Sequence, residues 1–120
     1  MGVNLTVNKF SVVVPIYNEE EILIDSCHKI FEICKKMELD FEIIFSENGS
    51  TDKTLTLINE FSSGRAECKV ISNNLANYGI ALRNGFKEAK NEMIISFDID
   101  YFSEQFLIDS LSLEKKFSAI

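Results

Sequence analysis

Residues 10–34 read FSVVVPIYNEEEILIDSCHKIFEIC, and this stretch decides the fold. Its first eight residues form an almost unbroken apolar, β-branched run, the pattern of a strand buried on both faces. Pro15 removes a ladder donor, so it is expected at the strand's end. The period then changes. Leu23, Cys27, Ile30, Phe31 and Cys34 fall at i, i+4, i+7, i+8 and i+11, one face of a helix, and Glu19 to Glu21 suit its positive N-terminal end.

The same strand-then-helix unit recurs along the chain. FEIIFS (41–46) reads as a second strand. NGSTDKT (48–54) follows as a turn with Ser50 or Thr51 as helix cap, and Leu55, Ile58 and Phe61 line the second helix. CKVIS (68–72) is a short third strand, with Leu82, Gly85, Phe86 and Ala89 as the stripe of a third helix. EMIISF (92–97) is the fourth strand, and Ser103 opens a last helix with Leu107, Leu111 and Phe117 inward. Such alternation implies an α/β fold: a Rossmann-like, doubly wound, mostly parallel sheet with helices on both faces.

Composition limits what such a domain does. At 46% hydrophobic residues, the 120-residue chain has the material for one ordinary core. Against 12 Lys and Arg stand 19 Asp and Glu, a net charge of −7 that repels nucleic-acid phosphates and anionic lipid. No apolar run is long enough to span a bilayer, and the N-terminus lacks the pattern of a signal peptide. Cys27, Cys34 and Cys68 form no CxxC pair, and Cys27 and Cys34 share the buried helix face. These features fit a reducing, cytoplasmic setting. Lone His28 reads as a surface or packing residue.

Ligands of a doubly wound sheet bind beyond the carboxyl ends of the strands. Three polar clusters fall there: YNEEE after the first strand, ENGSTD after the second and DID after the fourth. On an extended chain Asp98 and Asp100 share one side and Ile99 faces the other. Paired hard carboxylates with open positions opposite suit Mg²⁺ or Mn²⁺ carrying a diphosphate. Asn48 both donates and accepts, which suits a base edge or ribose hydroxyl. Tyr17 offers a flat face on which a base stacks. Each feature singly is as consistent with a solvated turn, a capped helix or a rim aromatic.

Taken together, SVVVPIYNEEE, FEIIFSENGSTDKT and NYGIALRNGFKEAKNEMIISFDIDY resemble, in order and spacing, glycosyltransferase family 2, across about residues 10 to 108. The resemblance implies a GT-A nucleotide-sugar-binding fold, with residues 1–120 as one nucleotide-sugar-binding domain, truncated before the acceptor half. It places Pro15, Tyr17 and Glu19 against the nucleobase and ribose. Glu47 and Asn48 match the pair before G-S-T-D that reads the base, although this chain has Asn at the second place. Asp98 and Asp100 match the D-x-D that holds ribose and the diphosphate-bridging Mg²⁺ or Mn²⁺. Gly79 and Gly85 match small positions of the third loop and helix. Where relatives carry Lys this chain has Ile80, and Arg83, one turn on, is the expected substitute cation. The implied partner is a UDP- or GDP-linked sugar. The acceptor is open, and the general base is not assigned to any residue of the chain. A homo-oligomer and a C-terminal partner domain are the alternatives for supplying what the chain does not contain.

Two other readings stand beside this one. A non-catalytic nucleotide-binding module keeps the fold and removes the transfer. A receiver domain of a signalling system is also doubly wound and acidic, but it needs a phosphorylatable Asp after the third strand, where this chain has Ser72, Asn73 and Asn74.

Overall fold

The computed structural model describes residues 7–118, with side chains through Ser112. The elements follow the order β1 (Lys9–Ile16), α1 (Leu23–Lys36), β2 (Asp40–Asn48), α2 (Thr54–Ser62), β3 (Cys68–Asn73), α3 (Tyr78–Glu88), β4 (Ile94–Ser96) and α4 (Glu104–Ser118). All strands are parallel and lie in the order β3-β2-β1-β4. The α/β alternation expected from the sequence is therefore present. Successive strands step outward from β1 to β3, and the chain then returns across the sheet to place β4 on the other side of β1. That reversal creates a topological switch point between β1 and β4, where the loops diverge and leave a crevice.

Period two sorts the side chains of β1 between two faces. Phe10, Val12, Val14 and Ile16 enter the main core with Ile43 and Phe45 of β2. Leu23, Cys27, Ile30, Phe31 and Cys34 of α1 complete it, together with Ile58 and Phe61 of α2 and Leu107 and Leu111 of α4. Val13, Ile44 and Ala81 are buried outside that cluster, beneath α3, which packs on β1 and β2. Ser46 fastens this second face by donating from its hydroxyl to the Ala81 carbonyl at 2.7 Å. Helices thus cover both faces. Burial pushes the thiols of Cys27 to about 12 and of Cys68 to about 11, so these cysteines are packing groups and not nucleophiles. His28 sets its ring edge-on to Phe61 at 5.0 Å, a packing contact.

Local readings differ from the structure at four places. β4 is three residues long, because Asn91 and Glu92 belong to the turn that enters it; single hydrogen bonds to Met93 and from Phe97 extend its pairing with β1. Helix α2 begins at Thr54 with no side-chain cap from Ser50 or Thr51, whose hydroxyls face the loop after β1 instead. Phe86 is exposed, and the buried stripe of α3 runs through Ala81 and Gly85. Small residues sit there because the helix lies close to the sheet, and a large side chain has to point away. Asp98 and Asp100 lie beyond β4 in a turn closed by the Tyr101 N–H donating to the Asp98 carbonyl, not on extended chain. The side chain of Phe117 lies outside the described residues. No helix among the described residues is long and apolar enough to cross a membrane.

Candidate functional site

The loop after β1 is locked to the loop after β2 by side chains from both. Asn18 takes the left-handed conformation at φ 49°, a region asparagine tolerates better than most residues. Its Oδ1 accepts the Thr51 N–H at 2.8 Å, and its own N–H donates to Ser50 Oγ at 3.0 Å. The Glu19 N–H donates to Thr54 Oγ1 at 2.9 Å, and the Glu20 N–H to Asp52 Oδ2 at 3.3 Å. Glu47, buried at the end of β2, accepts from the Ser50 N–H and from Ser72 Oγ. The N-E and E-N-G-S-T-D segments are thus a clamp that fixes the positions of Tyr17 and Glu19.

Above the switch point lies a cavity of about 330 Å³. From β1 and its loop come Pro15, Ile16, Tyr17 and Glu19; from the turn after β4 come Asp98, Ile99, Asp100 and Tyr101; Asn48 and Tyr78 close the side. Ile99 is buried, while Asp98 and Asp100 are exposed, so the turn still presents both carboxylates and hides the residue between them. Six residues singled out in the sequence meet here: Pro15, Tyr17, Glu19, Asn48, Asp98 and Asp100. Glu47, Gly79 and Arg83 are not among the lining residues. Glu47 accepts hydrogen bonds within the clamp, and Arg83 is exposed on α3.

The electrostatics of this cavity are one-sided. Three carboxylates line it and no Lys or Arg does. Glu19 has its pKa raised, by burial first and then by the negative charges of Asp100, Asp52 and Asp98. Such a field favours a cation. Among the described residues no group of three or more His, Cys, Asp or Glu side chains can hold an ion alone. Asp98 and Asp100 supply hard oxygen donors of the type that Mg²⁺ and Mn²⁺ take alongside water. A larger hollow of about 440 Å³ lies at the amino ends of the strands, but there Lys9 and Lys90 offset Asp40 and Glu67, and parallel sheets do not bind ligands at that end. One prediction follows from the repulsion. Without metal, Asp100→Ala should leave stability within about 0.5 kcal/mol or raise it. A marked drop in melting temperature in EDTA would show that Asp100 is structural.

Sequence reading missed Tyr78 and Tyr101. Tyr78 donates its hydroxyl to Asp98 Oδ1 at 2.9 Å, and that bond raises its own pKa. The two residues are twenty apart, and nothing in the sequence pairs them. The chain has three tyrosines and no tryptophan, and all three tyrosines line this cavity. Intrinsic fluorescence therefore reports on the site alone.

Comparisons with known proteins bear on the family and the fold. The family model of glycosyl transferase family 2 matches residues 11–108. The chain is 32% identical over 96 residues to the undecaprenyl-phosphate 4-deoxy-4-formamido-L-arabinose transferase of Proteus mirabilis, covering 78% of this chain and 29% of that protein. The transferase of the same name from Pseudomonas fluorescens is 34% identical over 94 residues, covering 75% and 27%. The chain thus spans under a third of the length of these relatives. Among solved structures, the mannosyltransferase PcManGT of Pyrobaculum calidifontis, in complex with GDP-Man and Mn²⁺, superposes with a TM-score of 0.73 at 19% identity, over 93% of this chain and 35% of that one. The 1–349 segment of TarS from S. aureus gives 0.65 at 28% identity, over 90% and 32%.

Proposed function

Because the chain belongs to glycosyl transferase family 2, we propose that residues 1–120 form a nucleotide-sugar-binding domain whose cavity takes a nucleoside diphosphate sugar together with Mg²⁺ or Mn²⁺. The carrying observation is the charge of the cavity: three carboxylates and no basic side chain surround the space above the switch point. An anionic diphosphate enters such a space only with a cation between it and the protein. Asp98 and Asp100 would hold that cation, which when bound neutralises the charge growing on the departing diphosphate.

The protein's own groups would do the rest. Tyr17, beside Pro15, offers its ring to the base, and Asn48 offers an amide. Asn48 Oδ1 accepts the Asn77 N–H at 2.8 Å; a backbone N–H only donates, so the amide Nδ2–H₂ is the end left for a ligand. Glu19, held by Thr54, lies on the ribose side. Donors linked to UDP or GDP are both retained in this reading. The names of the relatives make a lipid phosphate such as undecaprenyl phosphate the proposed acceptor class of the whole protein. No cavity residue is assigned as general base, since Asp98 and Asp100 are committed to the cation.

The test is titration of the 120-residue chain with UDP and GDP in Mn²⁺ and again in EDTA, by calorimetry and tyrosine fluorescence. Chelation is expected to weaken binding on the order of 100-fold, about 2.7 kcal/mol. Equal affinity in both buffers would overturn the metal-dependent reading.

A further inference from the structure

Three exposed tyrosines ring the cavity, and among the described residues only Tyr78 donates its hydroxyl to the carboxylate of a candidate metal ligand. We infer that Tyr78 is a positioning residue for the cation site, its phenol holding the Asp98 carboxylate in the orientation that metal binding requires. The inference rests on the reading that Asp98 and Asp100 hold the cation.

The phenol donates to Asp98 Oδ1 at 2.9 Å, and Oδ2 accepts no hydrogen bond from any described residue. One oxygen is thereby tethered and the other left for a ligand. The backbone of the same aspartate is fixed separately, by the Tyr101 N–H on its carbonyl at 3.0 Å. Tyr78 is itself anchored. It opens α3 directly after Asn77, whose side chain caps the helix by accepting the Ile80 N–H at 3.0 Å. The Asn77 N–H in turn donates to Asn48 Oδ1 at 2.8 Å, at the buried end of β2. A continuous line of hydrogen bonds therefore runs from β2, through the start of α3, to the turn after β4. An exposed carboxylate that is free to rotate loses that freedom when it binds an ion; a donor that already holds it reduces the loss.

Tyr78→Phe tests this directly, because it keeps the ring and deletes only the hydroxyl. Mn²⁺ alone is titrated into wild type and variant, following the electron paramagnetic resonance signal of the free ion, and Mn²⁺ with UDP or GDP is titrated by calorimetry. The variant should bind Mn²⁺ about tenfold more weakly, with its melting temperature unchanged. In an Asp98→Ala background the same substitution should have no further effect on Mn²⁺-dependent nucleotide affinity, since the oxygens it acts through are gone. Equal Mn²⁺ affinity of wild type and Tyr78→Phe overturns the role of Tyr78 while the cation site stands. A wild type that binds no Mn²⁺, alone or with nucleotide, overturns the site and the inference together. An undiminished effect in the Asp98→Ala background shows that Tyr78 acts elsewhere, which also overturns it.

Discussion

Glu42→Ala should lower the unfolding free energy by about 3 kcal/mol at neutral pH, although Glu42 lies on the α3 side of the sheet and outside the cavity. This carboxylate is 2% exposed near the amino end of β2. Its Oε2 accepts from Ser11 Oγ at 2.7 Å and from the Lys90 N–H at 2.6 Å. Its Oε1 has no hydrogen-bond partner but faces the Lys69 ammonium at 3.4 Å. Ser11 Oγ in turn accepts the Asn91 N–H at 3.3 Å, so the carboxylate ties β1 to the turn that enters β4. Alanine would leave a buried hydroxyl and a backbone N–H without an acceptor, and the cost of unmet donors exceeds the modest net value of the bonds themselves. Burial raises the pKa of Glu42, but the Ser11 and Lys90 hydrogen bonds and the Lys69 charge outweigh it and hold the value below the usual 4.5. A depressed folded-state pKa gives stability that is present above 4.5 and lost as pH falls through the folded value. Urea unfolding from neutral to acid pH should therefore show a limb of falling stability in wild type that is reduced in Glu42→Gln. An unchanged midpoint for Glu42→Ala at neutral pH would show that the network contributes nothing.

The part of this fold legible in the sequence is the part written in short-range periodicity. The run from Phe10 to Ile16 and the spacing of Leu23, Cys27, Ile30 and Cys34 announce a two-sided strand and a one-sided helix, and both lie where expected. Order along the chain puts three polar clusters at one end of the sheet, which is why Tyr17, Asn48, Asp98 and Asp100 line one cavity. What escaped was set by contacts across distances the sequence does not encode locally. Ser50 and Thr51 read as helix caps because their nearest partners in sequence are helix N–H groups, but they bond instead to Asn18, more than thirty residues away. Glu47 reads as a ligand group because it matches the pair before G-S-T-D, and the sequence gives no sign that its carboxylate accepts from Ser72, twenty-five residues away. Glu42 itself, a charge in a strand, gave no sign that its partners would be Ser11 and Lys90. Phe86 reads as inward from its size, whereas the approach of α3 to β1 selects Gly85 for the buried stripe.

That close approach sets up the second large effect. A Cβ added at Gly85 would fall on Val13 Cγ1, with Cγ2 at 3.4 Å, and both residues are buried. Neither neighbour has room to give. Val13 is 0% exposed in an inner strand of the sheet, and its β-branched side chain is restricted at χ1. Gly85→Ala therefore adds strain of about 3 kcal/mol, of which the better helix propensity of alanine returns about 1, leaving a net loss of about 2. Val13→Ala alone should also cost about 2 kcal/mol, through lost burial and the cavity left behind. The double variant distinguishes steric conflict from any other cause. With both γ-carbons of Val13 gone, the new methyl at position 85 occupies space that Val13→Ala has emptied, so the two losses should not add. A double-variant loss near 2 kcal/mol instead of 4 gives a coupling of about 2, within the range of residues in direct contact. The same pair also reports on the cavity, because α3 begins with Asn77 and Tyr78. Strain that shifts the helix off β1 moves the phenol away from Asp98, so Mn²⁺ affinity should fall in Gly85→Ala and recover in the double variant. Strict additivity of the two stability losses would show that α3 accommodates a methyl group by sliding, and that its seat on β1 is not what fixes the start of the helix.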